Sequence, residues 1–322
     1  MKHRDIHEQH DFFEYVRTDR GVPPEDRSRI DVALLDMNHS WPNLGHDSLV
    51  HAVLDCAEKL RDELIAAGLK VRILSFDVRR RHLLPAAPDG RFALYIGSGG
   101  PGHLDPRHND GVSEASQGIQ ESAAWEAPLF QLFDDIVAHP TAALLAVCHS
   151  FGLLCRWSGA AHAALREEKS SGMPLNALSA AADDHPWFLR FEGELPDRRH
   201  FRVVDNRLFD LVFDGGGVTP IAFEHDNSGV VTMAEFARTG SMPRVLGVNH
   251  HPEIIDRAHL LAVLEEKHTH GEVSDPWYRE RLHTLENEMV GEIERQSRLT
   301  SRFTLLGPMQ FHLERIVGER LG

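Results

Sequence analysis

The chain of 322 residues holds only three cysteines, Cys56, Cys148 and Cys155, an odd and sparse set. That count excludes a disulfide-stapled secreted scaffold and fits a reducing cytoplasm, the location expected here. Long hydrophobic runs are missing too. No segment approaches the ~20 consecutive apolar residues that a membrane-spanning helix needs, and the opening MKHRDIHEQHDFFEYVRTDR lacks the apolar core of a signal peptide. No membrane association is therefore expected. Positive charge is in short supply: 34 Lys and Arg stand against 49 Asp and Glu, a formal net charge of −15. No long basic block concentrates it, which argues against nucleic acid as a partner, because phosphate binding needs clustered cations. The triplet Arg79-Arg80-Arg81 reads as a solvated turn after a strand. The chain carries no G-x-x-x-x-G-K-[ST] phosphate loop, no fixed-period repeat and no low-complexity tract. The loop residues His103, Asp105, His108 and Asp110 are of metal-binding types, but their spacing lacks the i, i+4 geometry of a helical zinc pair, so a solvated loop is expected and no cofactor or metal is implied.

What is present is an ordinary globular composition, 42% apolar and 26% charged. Residues 1–29 are polar and read as an arm. IDVALLD (30–36), KVRILSFD (70–77), RFALYIG (91–97) and TAALLAV (141–147) are aliphatic strands. Helical patterns lie between them, at about 48–67, where Val50, Val53, Leu54, Ala57, Leu60 and Leu64 recur at helical spacing, and near 121–137. The alternation predicts an α/β fold, a mostly parallel sheet with helices on both faces and reactive groups at the carboxyl ends of its strands. After residue 158 the chain is polar to about 186. It then offers FRVVD, FDLVFD, TPIAFE, GVVTM and RVLGVN as an antiparallel extension. From 256 onward it reads as helix. One stripe runs through Tyr278, Leu282, Leu285, Met289 and Ile293 and another through Phe303, Leu306, Met309, Leu313 and Ile316, suited to packing on the main domain or on a second copy of the chain.

Three segments carry chemistry. In LLAVCHSFG (144–152), Cys148 follows an aliphatic strand with Ala146 two places before it and Ser150 two places after. A nucleophile on a sharp strand-to-helix turn needs small flanking residues, and the helix N-terminus beyond it favours the thiolate. In YIGSGGPGHLDP (95–106), a strand runs into Ser98-Gly99-Gly100-Pro101-Gly102, a loop able to aim main-chain N–H groups at a developing oxyanion. In RVLGVNHHPEI (244–254), a strand delivers His251 and, two residues on, Glu253, a base with a carboxylate to orient it.

Together these segments resemble the class I glutamine amidotransferases, with their Ser-Gly-Gly-Pro-Gly oxyanion loop, nucleophilic cysteine on an elbow and terminal His-Pro-Glu. The resemblance covers roughly residues 30–255 and implies a flavodoxin-like domain, with an arm at 1–29 and a helical extension at 256–322 outside it. It implies catalytic roles for Cys148, His251 and Glu253. Gly99, Gly100 and His149 would form the oxyanion and substrate-binding backbone. The expected reaction is hydrolysis of the side-chain amide of glutamine or a γ-glutamyl compound through a thioester, the ammonia passing to a partner protein or to water. Two departures from the family pattern stand out: Gly152 occupies the place of a glutamine that helps hold the substrate, and Asp205-Asn206-Arg207 is the nearest counterpart of a His-Ser pair. These leave open a protein that kept the fold for binding or regulation. Cys148-His149 also resembles the elbow of the intracellular cysteine peptidase (PfpI) superfamily, in which His149 would be the base.

Overall fold

The computed structural model describes residues 10–41, 43–271 and 273–322; part of the expected N-terminal arm, residues 1–9, lies outside them. Strands β1 (Phe13–Arg17), β2 (Arg29–Asp36), β3 (Lys70–Asp77), β4 (Phe92–Gly97) and β5 (Ala143–Val147) pair in parallel in the order β1-β3-β2-β4-β5. The polar arm thus contributes an edge strand. β2 through β5 are buried almost end to end, as their unbroken aliphatic runs require of strands covered on both faces.

Apart from one further parallel pairing, the rest of the sheet is antiparallel. Beyond β6 (Ala161–Gly172) come β7 (Leu175–Leu178), β8 (His200–Arg202), β9 (Asp205–Phe213), β10 (Thr219–Glu224), β11 (Asn227–Thr239) and β12 (Met242–Val248). β12 lies parallel to β5 and antiparallel to β11, so the strand expected to end the antiparallel extension is also the last of the parallel set. β10, β7 and β8 continue outward from β11. β6 and β9 form a two-stranded ribbon joined to β11 through the pair Val230 and Val212.

Helix α1 (Leu44–Lys59) breaks at Leu60 before α2 (Arg61–Ala67), so the single helix expected at 48–67 is two; α3 (Val78–Arg81) is one turn. α4 (Glu126–Ala138) precedes β5 and α5 (His149–Ser158) follows it. Two short helices, α6 (Ala180–Asp183) and α7 (Phe188–Glu194), lie between β7 and β8. The tail is helical as expected: α8 (Arg257–Thr269), α9 (Asp275–His283), α10 (Gly291–Ser301) and α11 (Gly307–Leu321).

The period-two alternation of β2 sends Val32 and Leu34 into one core and Ala33 and Leu35 into the other. The first core is closed by Val50, Val53 and Leu54 of α1 together with Met309, Leu313 and Val317 of α11. The second is closed by Leu129 and Phe133 of α4 and by Phe151 and Leu154 of α5. The last tail helix is thus one of the covering layers of the sheet. Strand order changes direction between β2 and β4, and the segments that follow β2, β4, β5 and β12 touch one another through Met37 with Ser98, Ser98 with Ser150, and Gly99 with His251.

Candidate active site

Cys148 caps the N-terminus of α5 with φ 49° and ψ −106°, a conformation outside the regions an L-residue prefers. Neighbouring main chain holds it there: the Cys148 N–H donates to Val248 O (2.7 Å), and Cys148 O accepts from Gly152 N (3.0 Å). The small flanking residues have a physical reason. Ala146 pairs with Gly97 in the sheet, and Ser150 folds onto the same glycine, where a Cβ would lie 2.5 Å from its Oγ. The Ser150 hydroxyl donates to Ser98 O (2.7 Å), joining the elbow to the loop after β4.

That loop is fixed from several directions. The Met37 N–H donates to Ser98 Oγ (2.9 Å), and Gly100 lies so close to Met37 O that no side chain fits. Arg79, with its side chain fully buried, donates to Met37 O (3.0 Å) and Pro101 O (2.5 Å) and forms a bidentate pair with Glu121 (3.0 and 2.6 Å). The reading of all three arginines as a solvated turn is corrected here. Arg80 and Arg81 are not buried, but Arg79 is a structural cation under the candidate oxyanion loop, and no local feature separates it from its neighbours. Asn109 extends the brace, donating to Glu121 Oε1 (2.6 Å) and His103 O (2.9 Å) and accepting from His103 N (2.7 Å). In the expected solvated loop, Asp105 pairs with Arg107 and Arg156, and Asp110 accepts from Val112 N, Ser113 N and Ser113 Oγ.

His251 and Glu253 follow β12. His251 Nδ1 and Glu253 Oε1 are 2.8 Å apart, and both residues are buried. Gly99 separates the ring from the elbow: a Cβ on it would lie 2.9 Å from His251 Cε1 and 3.5 Å from Cys148 Cβ. The Cys148 sulfur interacts with the imidazole, whose Nε2 is buried without a well-formed hydrogen bond among the described residues. Burial opposes the imidazolium, but Glu253 and the Cys148 sulfur favour it more, and the pKa of His251 is raised well above the ordinary value. Glu253 Oε1 rests on Gly45 in the first turn of α1, whose backbone N–H groups favour a carboxylate.

His149 is placed differently. Its buried ring interacts with the Gly100 backbone, and burial, then the nearby Arg79 cation, pushes its pKa well below the ordinary value, leaving a neutral imidazole. The other cysteines are buried thiols: burial pushes Cys56 up to about 12 and raises Cys155 as well. Cys155 belongs to the core beneath α5.

Cys148 and His251 open into a cavity of about 210 Å³. Gly100 and His149 line its floor, and Lys169 and Asp205–Phe209 of the ribbon line one side. Also in the lining are Leu260, Trp277, Arg281, Thr284 and Leu285, all from the tail. A wide π-type turn at Thr284–Glu288, closed by Met289 N–H to Thr284 O (2.9 Å), sets the last two of these in place. Sequence reasoning assigned no site role to the tail. At Gly152 a Cβ would lie 2.5 Å from Leu104 Cδ1, so the volume a side chain would take there is filled by Leu104.

No protein-family model matches the chain, and no curated protein is detectably similar to it in sequence. Solved structures resemble it. A glutamine amidotransferase from Thermotoga maritima superposes with a TM-score of 0.50 at 13% identity, over 89% of this chain and 98% of that one. A glutamine amidotransferase from Methylobacillus flagellatus gives 0.46 at 14% identity, over 91% and 95%. A protein assigned as part of a GMP synthase, from Thermoplasma acidophilum, gives 0.41 at 16%, over 70% and 85%.

Proposed function

The chain has the fold of the class I glutamine amidotransferases, and we propose that it is a cysteine-dependent amide hydrolase acting on glutamine or a γ-glutamyl compound. The observation that carries this is Cys148 on a left-handed turn at a helix N-terminus, against an imidazole whose far nitrogen is 2.8 Å from Glu253. The sulfur, its proton held on His251, adds to the amide carbonyl. Main-chain N–H groups at Gly100 and His149 receive the oxyanion. His251 then returns the proton to the departing nitrogen, ammonia or an amine leaves, and a γ-glutamyl thioester remains. Water, deprotonated by the now neutral His251, cleaves the thioester and frees glutamate. Glu253 holds the ring's tautomer throughout. Ammonia goes to an acceptor protein or to water, and the reaction belongs in the cytoplasm.

The test is release of ammonia from glutamine and from γ-glutamyl amides by purified protein. We expect turnover by the wild type and a loss of at least about a thousandfold in Cys148→Ala. A wild type that releases nothing from any of them overturns the reading. One observation favours a second reading, a binding or regulatory protein: Leu104 fills the space beside Gly152 where a substrate contact was expected. A glutamine-shaped chloroketone separates the two, since rapid alkylation confined to Cys148 marks a working nucleophile and inertness marks a binder.

A further inference from the structure

The surface of the cavity runs against the charge of the molecule around it. The chain carries a net −15, yet the ionic side chains lining the cavity are Lys169, Arg207 and Arg281 against the single carboxylate of Asp205. Arg207 and Asp205 belong to a buried ribbon network: Arg207 reaches Asp205 (3.3 Å), Asp210 (3.5 Å) and Glu224 (2.9 Å), and Asp205 also accepts from Ser170 Oγ (2.7 Å). With Arg166, which pairs with Asp210 and Glu224, that network sets two arginines against three carboxylates and offers no free positive charge to the cavity. Lys169 and Arg281 share one carboxylate, Glu280, at 2.9 and 3.2 Å, which leaves one positive charge in excess at the wall.

Arg281 is the better placed of the two. Only 14% of its side chain is exposed, its guanidinium stacks over Trp277 at 5.3 Å, and burial lowers its pKa, the mark of a cation short of compensating charge. Asn249, which lines the same cavity, has a side-chain amide Nδ2 that is buried and unpartnered among the described residues. A planar guanidinium held on an indole, with one carboxylate neighbour already shared, is a ready receptor for a second carboxylate.

We propose that Arg281, from the helical tail, binds a carboxylate of the amide substrate and is the specificity-determining residue of this site. The inference rests on the reading of Cys148 as a nucleophile facing that cavity. It assigns the substrate to the class of amides bearing an anionic group that meets Arg281 in the cavity wall. That group is either the α-carboxylate on the acyl side or a carboxylate on the departing amine.

The experiment measures how ligands slow alkylation of Cys148 by neutral iodoacetamide, a readout that needs no turnover. Four ligands are compared: glutamine, glutamine methyl ester, γ-glutamylglycine and γ-glutamylglycinamide. In the wild type, masking the recognised carboxylate is expected to raise the half-protecting concentration by about tenfold. Ester sensitivity identifies the acyl-side carboxylate and glycinamide sensitivity the amine-side one. In Arg281→Met the acid and its masked partner should protect alike, and Arg281→Lys, which keeps the charge and fills the same wall, should retain part of the difference. The inference is overturned if none of the four protects, if masking matters equally in wild type and both variants, or if Cys148 does not alkylate at all. Arg281-dependent protection without amide hydrolysis would instead remove only the hydrolase reading.

Discussion

The two walls of the cavity are built on different principles. The floor, from β4 and β5, is main chain packed on main chain: Gly97 against Ser150, Gly100 against Met37, Cys148 hydrogen-bonded to Val248, and one fully buried cation, Arg79, tying Met37 to Pro101. The far wall is long side chains linking elements remote in sequence. Lys169 and Ser171 of β6 reach Glu280 of α9, and Glu288 accepts from the Met173 N–H. On the proposed reading, the first kind of wall would fix where a carbonyl carbon meets the Cys148 sulfur, and the second would fix which molecule brings that carbonyl.

If that division is right, damage to the floor costs stability and rate together, whereas damage to the far wall costs affinity. The largest effect should come from Arg79→Met, which strands Glu121 as a lone buried charge; denaturant unfolding is expected to show a loss of about 3–5 kcal/mol. Any activity surviving in folded protein should fall through kcat. Next is Glu253→Gln. With the carboxylate gone, the raised pKa of His251 falls toward its ordinary value, so the imidazolium is lost at lower pH. The alkaline limb of the kcat/KM profile is expected to move to lower pH, with a rate loss of about a hundredfold or more.

Gly152→Ala comes third. Its methyl would press on Leu104, and the overpacking should cost about 1–3 kcal/mol in thermal or denaturant unfolding. Pairing it with Leu104→Ala should recover much of that loss. The smallest effect on stability is expected from Lys169→Met, a partly exposed ion pair worth about 0.5 kcal/mol. It also frees Glu280 to neutralise Arg281, so KM for an anionic substrate should rise while kcat holds. A fall in kcat with KM unchanged would erase the distinction between the two walls.

The floor was the legible part in the sequence. Parallel strands buried on both faces leave unbroken aliphatic runs, and an elbow crowded by neighbouring backbone leaves small residues at fixed offsets from Cys148. The strands are where those patterns put them, a strand-to-helix turn falls at Cys148, and His251 Nδ1 lies 2.8 Å from Glu253 Oε1. Other features leave no such trace. β6 lies within the stretch read only as polar, because its ribbon buries no continuous face and the residues from Ala164 to Ser171 are largely open to solvent. β1 is five residues inside a polar arm. Arg79 looks like Arg80 and Arg81 until Glu121, 42 residues away, is folded beneath it. Arg281 meets the cavity only through contacts such as Lys169 with Glu280, 111 residues apart, which no local periodicity records.

The placement of Trp277 and Arg281 in the cavity wall has a consequence for biosynthesis. On a ribosome the sulfur of Cys148 and the imidazole of His251 emerge before the residues that enclose them. On the proposed reading, a growing chain would therefore hold its nucleophile and base before the wall that selects a substrate is in place. On the same reading, docking of α9 against β6 is the step that would turn an open thiol into a discriminating one.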